Sequence, residues 1–205
     1  QVKESGAPTL RAKRTMPPLS RRRRGASTRN RARRVPRRAA FSKARMKGGR
    51  QRGPRIGVDT NKNIFVTAPA VFDEAEFQRK YPTADLYFVT SKDGGATWTQ
   101  PVRINEVPKK APESLHWLAV TPNGEAHVAW LDLRGRQGPG QDIYFAKVVN
   151  GRVTKNNPIA TDVCECCAPG LAVDAAGNPL VAYREGGKKP SREVFAISSA
   201  NNGTS

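Results

Sequence analysis

Short apolar runs separated by polar turns recur along most of the chain and fall into three similar units. The first run of each unit is Arg55-Ile56-Gly57-Val58, Trp117-Leu118-Ala119-Val120 and Gly170-Leu171-Ala172-Val173. Polar turns follow at 59–63, 121–125 and 174–178, and the last two contain Asn-Gly or Gly-Asn. Each turn leads into a second run: Ile64 to Thr67, Ala126 to Trp130 and Leu180 to Tyr183. Alternating apolar runs joined by such turns predict tight β-hairpins, because Gly and Asn adopt the positive φ these turns require. A third strand is predicted at 85–89, 142–146 and 193–197, with starts separated by 57 and 51 residues.

A period near 50 residues with about four strands per unit is the pattern of propeller blades. The predicted fold is therefore all-β, a partial β-propeller over 49–205, with blades at roughly 49–108, 109–161 and 162–205. The last lacks its outer strand. Three blades leave two open flanks, so further blades are expected to complete a ring, six in all.

After the third strand of the first unit, residues 91–98 read Ser-Lys-Asp-Gly-Gly-Ala-Thr-Trp. Asp93 suits a hydrogen-bond acceptor for turn N–H groups, Gly94 and Gly95 supply positive φ, and Trp98 makes an apolar plug. Val149-Asn150-Gly151-Arg152 takes this place in the second unit. In the third, Ser199 to Ser205 repeats the pattern with Asn201 for the Asp, and the chain stops where the Trp would follow. This, together with a start at Gln1, is the mark expected of a fragment.

The spacing of Ser91, Asp93, Gly95, Thr97 and Trp98 resembles the Asp-box of bacterial sialidase-like (BNR-repeat) β-propellers. In that family the box is a structural hairpin on the outer edge of a blade, away from the active site. The resemblance covers about residues 49–205 and implies a sialidase-like, exo-glycosidase-like propeller that acts on or binds glycans at the mouth of a central channel. The alternative is a non-catalytic Asp-box propeller that binds glycan or protein. Whether the chain is an enzyme, an exo-α-sialidase or other glycoside hydrolase, stays open at this point.

Charge divides the chain. Residues 1–55 hold 20 Lys/Arg and one acid, Glu4, whereas 56–205 hold 16 Lys/Arg and 16 Asp/Glu. The whole formal charge of +19 thus sits in the first quarter. With so few apolar residues, 1–48 is expected to be disordered. It reads as an arm for nucleic acid or another anionic surface, as a solvated tail, or as non-native text from a shifted frame, the last being preferred. No apolar stretch of signal-peptide length follows the arginines, and no run is long enough to span a membrane.

In sialidase-like propellers the site is built by the loops that lead into and out of the inner strands. By the internal alignment these loops carry Arg52 and Arg55, His116 and Trp117, Asp132 and Arg134, and Arg184 and Glu185. The resemblance implies an arginine clamp for a carboxylate, an Asp acid/base and a Tyr–Glu nucleophile. The catalytic candidates are Arg55, Asp132, Arg184 and Glu185; Arg134, His116 and Trp117 are substrate-binding candidates. Gly53-Pro54-Arg55-Ile56 is only loosely similar to the family's first arginine motif, and no nucleophilic Tyr is apparent.

All three cysteines fall within Cys164-Glu165-Cys166-Cys167. A local disulfide is favoured over a metal site, because no second Cys pair or nearby His completes a zinc tetrahedron. No metal or cofactor is assigned. Similar cysteine-dense loops occur in bacterial sialidase-like propellers, and they imply a secreted or periplasmic setting, although the signal segment is not in this chain.

Overall fold

The computed structural model describes residues 40–41, 44–46, 52–111, 115–134, 140–190 and 192–203. The chain divides into two compact units, Gln1–Arg34 and Val35–Ser205, and the first lies wholly outside the described residues. The expected disorder of the basic tail therefore lies outside them too, apart from its last few residues.

The second unit is nearly all β and forms three antiparallel sheets. The first holds β1 (Arg45–Met46), β2 (Arg55–Val58), β3 (Ile64–Val71), β4 (Asp85–Ser91) and β5 (Val102–Arg103). One helical turn, α1 (Glu74–Phe77), joins β3 to β4. The second holds β6 (His116–Val120), β7 (Ala126–Asp132), β8 (Gln141–Val149), β9 (Arg152–Val153) and β10 (Asn157–Val163). The third holds β11 (Gly170–Val173), β12 (Pro179–Arg184) and β13 (Val194–Ser198).

The strands β2–β3–β4–β5, β6–β7–β8 and β11–β12–β13 each run side by side in sequence order. β1 and β2 share one edge of β3, with Met46 opposite Ala70 and Arg55 opposite Thr67. The first sheet thus reaches back to Arg45, inside the segment expected as tail. There the Arg45 guanidinium lies 4.8 Å over Phe77 and 3.5 Å from Glu74, contacts that anchor a strand with no apolar pattern of its own. β9 and β10 divide the outer edge of β8 between them. Asn150 and Gly151 both have positive φ, so β8 and β9 are joined by a tight two-residue turn.

The first strands, β2, β6 and β11, pack beside one another and hold the three sheets together. Gly57 lets β2 meet β6 closely: a Cβ there would stand 3.1 Å from the Cβ of Val120. The three hairpin turns share one construction. Asp59 Oδ1 accepts from Asn63 N at 2.8 Å, Thr121 Oγ1 from Glu125 N at 2.9 Å and Asp174 Oδ1 from Asn178 N at 2.7 Å. The fourth residue of each, Lys62, Gly124 and Gly177, has positive φ. Thr60 N donates to Pro122 O at 3.2 Å, and a Cβ at Gly177 would touch Thr121, so the turns gather at one end.

Two apolar clusters lie on either side of the middle sheet. Phe65, Leu86, Phe88, Leu118, Val128 and Trp130 fill the space towards the first sheet. Ala129, Leu131, Ile143, Phe145, Leu171 and Val181 fill the space towards the third. β7 is buried at all seven positions and is apolar apart from His127 and Asp132, whereas β12 alternates between buried and exposed. Ile56 is 68% exposed on the outer face of the first sheet and Val194 is 73% exposed in the third.

The Ser91–Trp98 turn forms as its composition requires. Ser91 Oγ donates to Asp93 Oδ1 at 2.8 Å and accepts from Gly95 N at 2.8 Å. Asp93 also accepts from Thr97 N at 2.8 Å and from Thr97 Oγ1. These bonds, the Thr97 hydroxyl foremost, hold the Asp93 carboxyl down at about 2. Ser199 repeats the pattern, donating to Asn201 Oδ1 at 2.6 Å and accepting from Gly203 N at 3.0 Å. Thr204 and Ser205 lie outside the described residues.

Candidate functional site

Opposite the hairpin turns, the starts of the first strands and the ends of the second strands carry the candidate residues. Antiparallel pairing places them there: Arg55 faces Thr67, His116 faces Trp130, and Gly170 faces Ala182. The structure sorts these residues into three clusters.

The first joins β2 to β6. Arg55 Nε donates to the carbonyl of His116 at 3.2 Å, and its guanidinium lies 4.3 Å over the Trp117 ring. Trp117 remains 38% exposed. His116 points the other way. It is fully buried, and its Nε2 stands 3.0 Å from Thr67 Oγ1 on the neighbouring sheet. The expected His116–Trp117 binding pair is thus divided, because adjacent strand residues face opposite sides. Trp117 stays available, whereas His116 ties two sheets together.

The second cluster is built on Asp132, which is fully buried. Its carboxylate accepts from the Trp130 indole at 3.0 Å, from Arg134 N at 2.8 Å and from the Arg134 guanidinium at 2.7 Å. That guanidinium also donates to Asn156 Oδ1 at 2.9 Å, reaches Glu106 at 3.4 Å and lies 4.1 Å over Tyr144. Asn156 and Glu106 exchange bonds in turn: Glu106 N donates to Asn156 Oδ1 at 2.8 Å and Asn156 N to Glu106 Oε1 at 2.9 Å. This network fastens the segment after β5 to the middle sheet. Both Asp132 oxygens have partners, and the guanidinium is spent within the protein.

The third cluster lies at the end of β12. Arg184 Nε donates to Arg192 O at 3.1 Å, and its Nη1 stands 3.9 Å from Cys167 Sγ. Glu185 accepts from Lys189 Nζ at 2.8 Å. Arg184 and Glu185 therefore serve different partners. Cys164 and Cys167 form a disulfide, and Cys166 is free and exposed.

Burial pushes the phenols of Tyr87 and Tyr144 above their ordinary value, the direction opposite to nucleophile activation. Sequence reasoning missed Glu106, Asn156 and Tyr144 as partners of Arg134. They lie 28, 22 and 10 residues away in the chain, and no local motif marks them. A cleft of about 440 Å³ between β10 and the third sheet is lined by residues such as Phe145, Ile159, Val181 and Ile197, none of them ionisable.

No family model and no curated protein matches the chain. Among solved structures, a Hadza microbial sialidase is similar over 75% of this chain and 36% of its own, at 15% identity and a TM-score of 0.50. A protein of unknown function from Dyadobacter fermentans matches over 78% of this chain and 55% of its own, at 17% identity and a TM-score of 0.49. The α-L-arabinanase of Penicillium chrysogenum matches over 75% and 46%, at 15% identity and a TM-score of 0.45. The chain spans 36% to 55% of the length of these structures. The likeness to the first is one of fold, and with three antiparallel sheets and almost no helix it describes a partial propeller-like architecture.

Proposed function

We propose that this chain is part of a sialidase-like propeller that engages a glycan at the end carrying Arg55 and Trp117. The observation that carries the reading is the exposed Trp117 ring with a guanidinium stacked 4.3 Å above it. An aromatic face packs against sugar C–H groups, and an adjacent guanidinium pairs with an acidic sugar's carboxylate. In this reading the three sheets are three blades of a six-bladed ring, other blades complete the channel, and the protein works outside the cytoplasm. Arg184 belongs to the same rim.

For this chain the binding role is favoured over hydrolysis, because the one Asp suited to acid/base work is sealed. Asp132 has no solvent-facing oxygen and is paired with Trp130 and Arg134, so it serves as scaffold. A general acid must reach the leaving oxygen within hydrogen-bond distance. Probing an array of immobilised sialylated and neutral glycans tests the reading. Retention of acidic glycans, lost in Trp117→Ala, supports it. Retention by the variant equal to that of the parent refutes it.

A further inference from the structure

We infer that the Cys164–Cys167 loop, once its disulfide is reduced, is a three-thiolate site for a soft monovalent cation, Cu(I). Neither the fold nor the glycan-binding reading uses this loop.

The three Sγ atoms lie within 4.8 Å of one another, and Cys166 Sγ is 3.5 Å from Cys164 Sγ. A trigonal site with metal–sulfur bonds of about 2.3 Å needs sulfurs about 4.0 Å apart. The Cys164–Cys166 edge is near that scale, and the Cys164–Cys167 edge reaches it only once the disulfide is broken. Nothing else among the described residues joins the cluster: no His, Asp or Glu offers a ligand atom within that distance. Purely thiolate donors select soft ions. With three donors instead of four, the set suits three-coordinate Cu(I) better than tetrahedral zinc.

The surroundings are built to hold the loop and offset its charge. Cys164 N donates to Arg184 O at 3.0 Å, and Val163 pairs with Glu185. Gly186 approaches so closely that a Cβ there would stand 2.6 Å from Cys164 Cα and 2.9 Å from Arg192 Nη1. The Arg184 guanidinium, 3.9 Å from Cys167 Sγ, puts a positive charge at the cluster. Three thiolates around one Cu(I) carry two net negative charges, and the Arg184 guanidinium opposes them.

The same geometry argues against internal thiol–disulfide exchange. Attack by Cys166 on Cys164 along the disulfide would put Cys166 Sγ about 5.5 Å from Cys167 Sγ, given an S–S bond of about 2.05 Å. The sulfurs instead form a triangle with no edge beyond 4.8 Å. Disulfide and metal exclude each other, since two electrons from a dithiol or phosphine must first convert Cys164–Cys167 to two thiols.

Titrating the full chain anaerobically with Cu(I) against a chromogenic Cu(I) chelator tests this. The phosphine-reduced chain is expected to bind one Cu(I), and the oxidised chain none. Cys166→Ser, which keeps the Cys164–Cys167 pair and so the oxidised fold, is expected to lose stoichiometric binding. Arg184→Gln is expected to weaken it by roughly tenfold to a hundredfold. Three outcomes overturn the inference: no stoichiometric Cu(I) on the reduced chain, equal affinity in Cys166→Ser, or displacement of Cu(I) by equimolar Zn²⁺.

Discussion

Arg134 reaches back two residues to Asp132 with a 2.7 Å ion pair while its guanidinium covers Tyr144 at 4.1 Å. The pair is buried, with the Arg134 side chain 13% exposed, and it borders the segment that links the first two sheets. Removing one member leaves the other charge in a low-dielectric setting. Asp132→Ala is therefore expected to destabilise the fold by about 3–5 kcal/mol, read from the denaturant midpoint. An unchanged midpoint would return Asp132 to the list of free acids.

Burial in the middle and third sheets predicts a gradient of mutational cost. Leu131 on β7 is fully buried, whereas Leu180 on β12 is 47% exposed. Leu131→Ala is expected to cost about 2–5 kcal/mol and Leu180→Ala well under half of that. Chemical denaturation of both variants reads the difference. Equal losses would mean that the outer face of the third sheet is covered in solution.

His127 gives the fold an acid sensitivity. It is fully buried against Phe145, neither ring nitrogen has a hydrogen-bond partner among the described residues, and the Glu125 carboxylate stands 3.7 Å from Nε2. Burial foremost, with the Lys147 charge behind it, pulls its value down to about 4. The unfolded chain protonates this group near 6.5, so between 6.5 and 4 it binds more protons than the folded chain. Stability is intact above pH 6.5 and falls towards pH 4, by about 3 kcal/mol if this group acts alone. His127→Leu should flatten the slope between pH 6.5 and 4.5. A slope unchanged by that substitution would assign it to other groups.

Below that window the carboxylates take over. Lys109 foremost, with Thr83 N and Arg79, holds Glu76 down at about 2, and the hydroxyl and amide of Thr97 do the same for Asp93. Their contribution is complete above the ordinary carboxylate range and is lost as pH falls towards 2. Glu76→Gln should lessen the loss of melting temperature between pH 4.5 and 2, and an identical curve would discount the Lys109 pair.

The strands were legible wherever local chemistry dictates them. The turns at 59–63, 121–125 and 174–178 need a positive φ at one position, and Gly124 and Gly177 announce it. Lys62 does the same job with no such signal. Short-range bonds also made Ser91 to Trp98 readable, since Ser91, Asp93 and Thr97 bond within the octapeptide. β1 was missed because Arg45 and Met46 sit in a basic run, and their strand exists only by pairing with Val71 and Ala70. α1 was missed as well; its Asp73 cap, accepting from Ala75 N at 2.9 Å, was the available signal.

The sequence placed the candidate rim residues at strand ends but could not show their surroundings. Alternation on β6 implied that His116 and Trp117 face apart, yet which one turns outward depends on Thr67 and Arg55 from the neighbouring sheet. Likewise, the Asp132–Arg134 pair is held by partners of Arg134 distributed over 50 residues, from Glu106 to Asn156. Long-range polar networks leave no periodic trace.

The most direct test of the glycan-binding end is calorimetric titration of the chain with sialyllactose and with lactose, alongside Trp117→Ala and Arg55→Gln. Sialyllactose is expected to bind more tightly than lactose. Trp117→Ala should weaken both sugars by about fivefold to tenfold, since a stacked aromatic contributes about 1 kcal/mol, and Arg55→Gln should erase the preference for the acidic sugar. Equal affinities for the two sugars in the parent chain, unaltered by either substitution, would contradict the account.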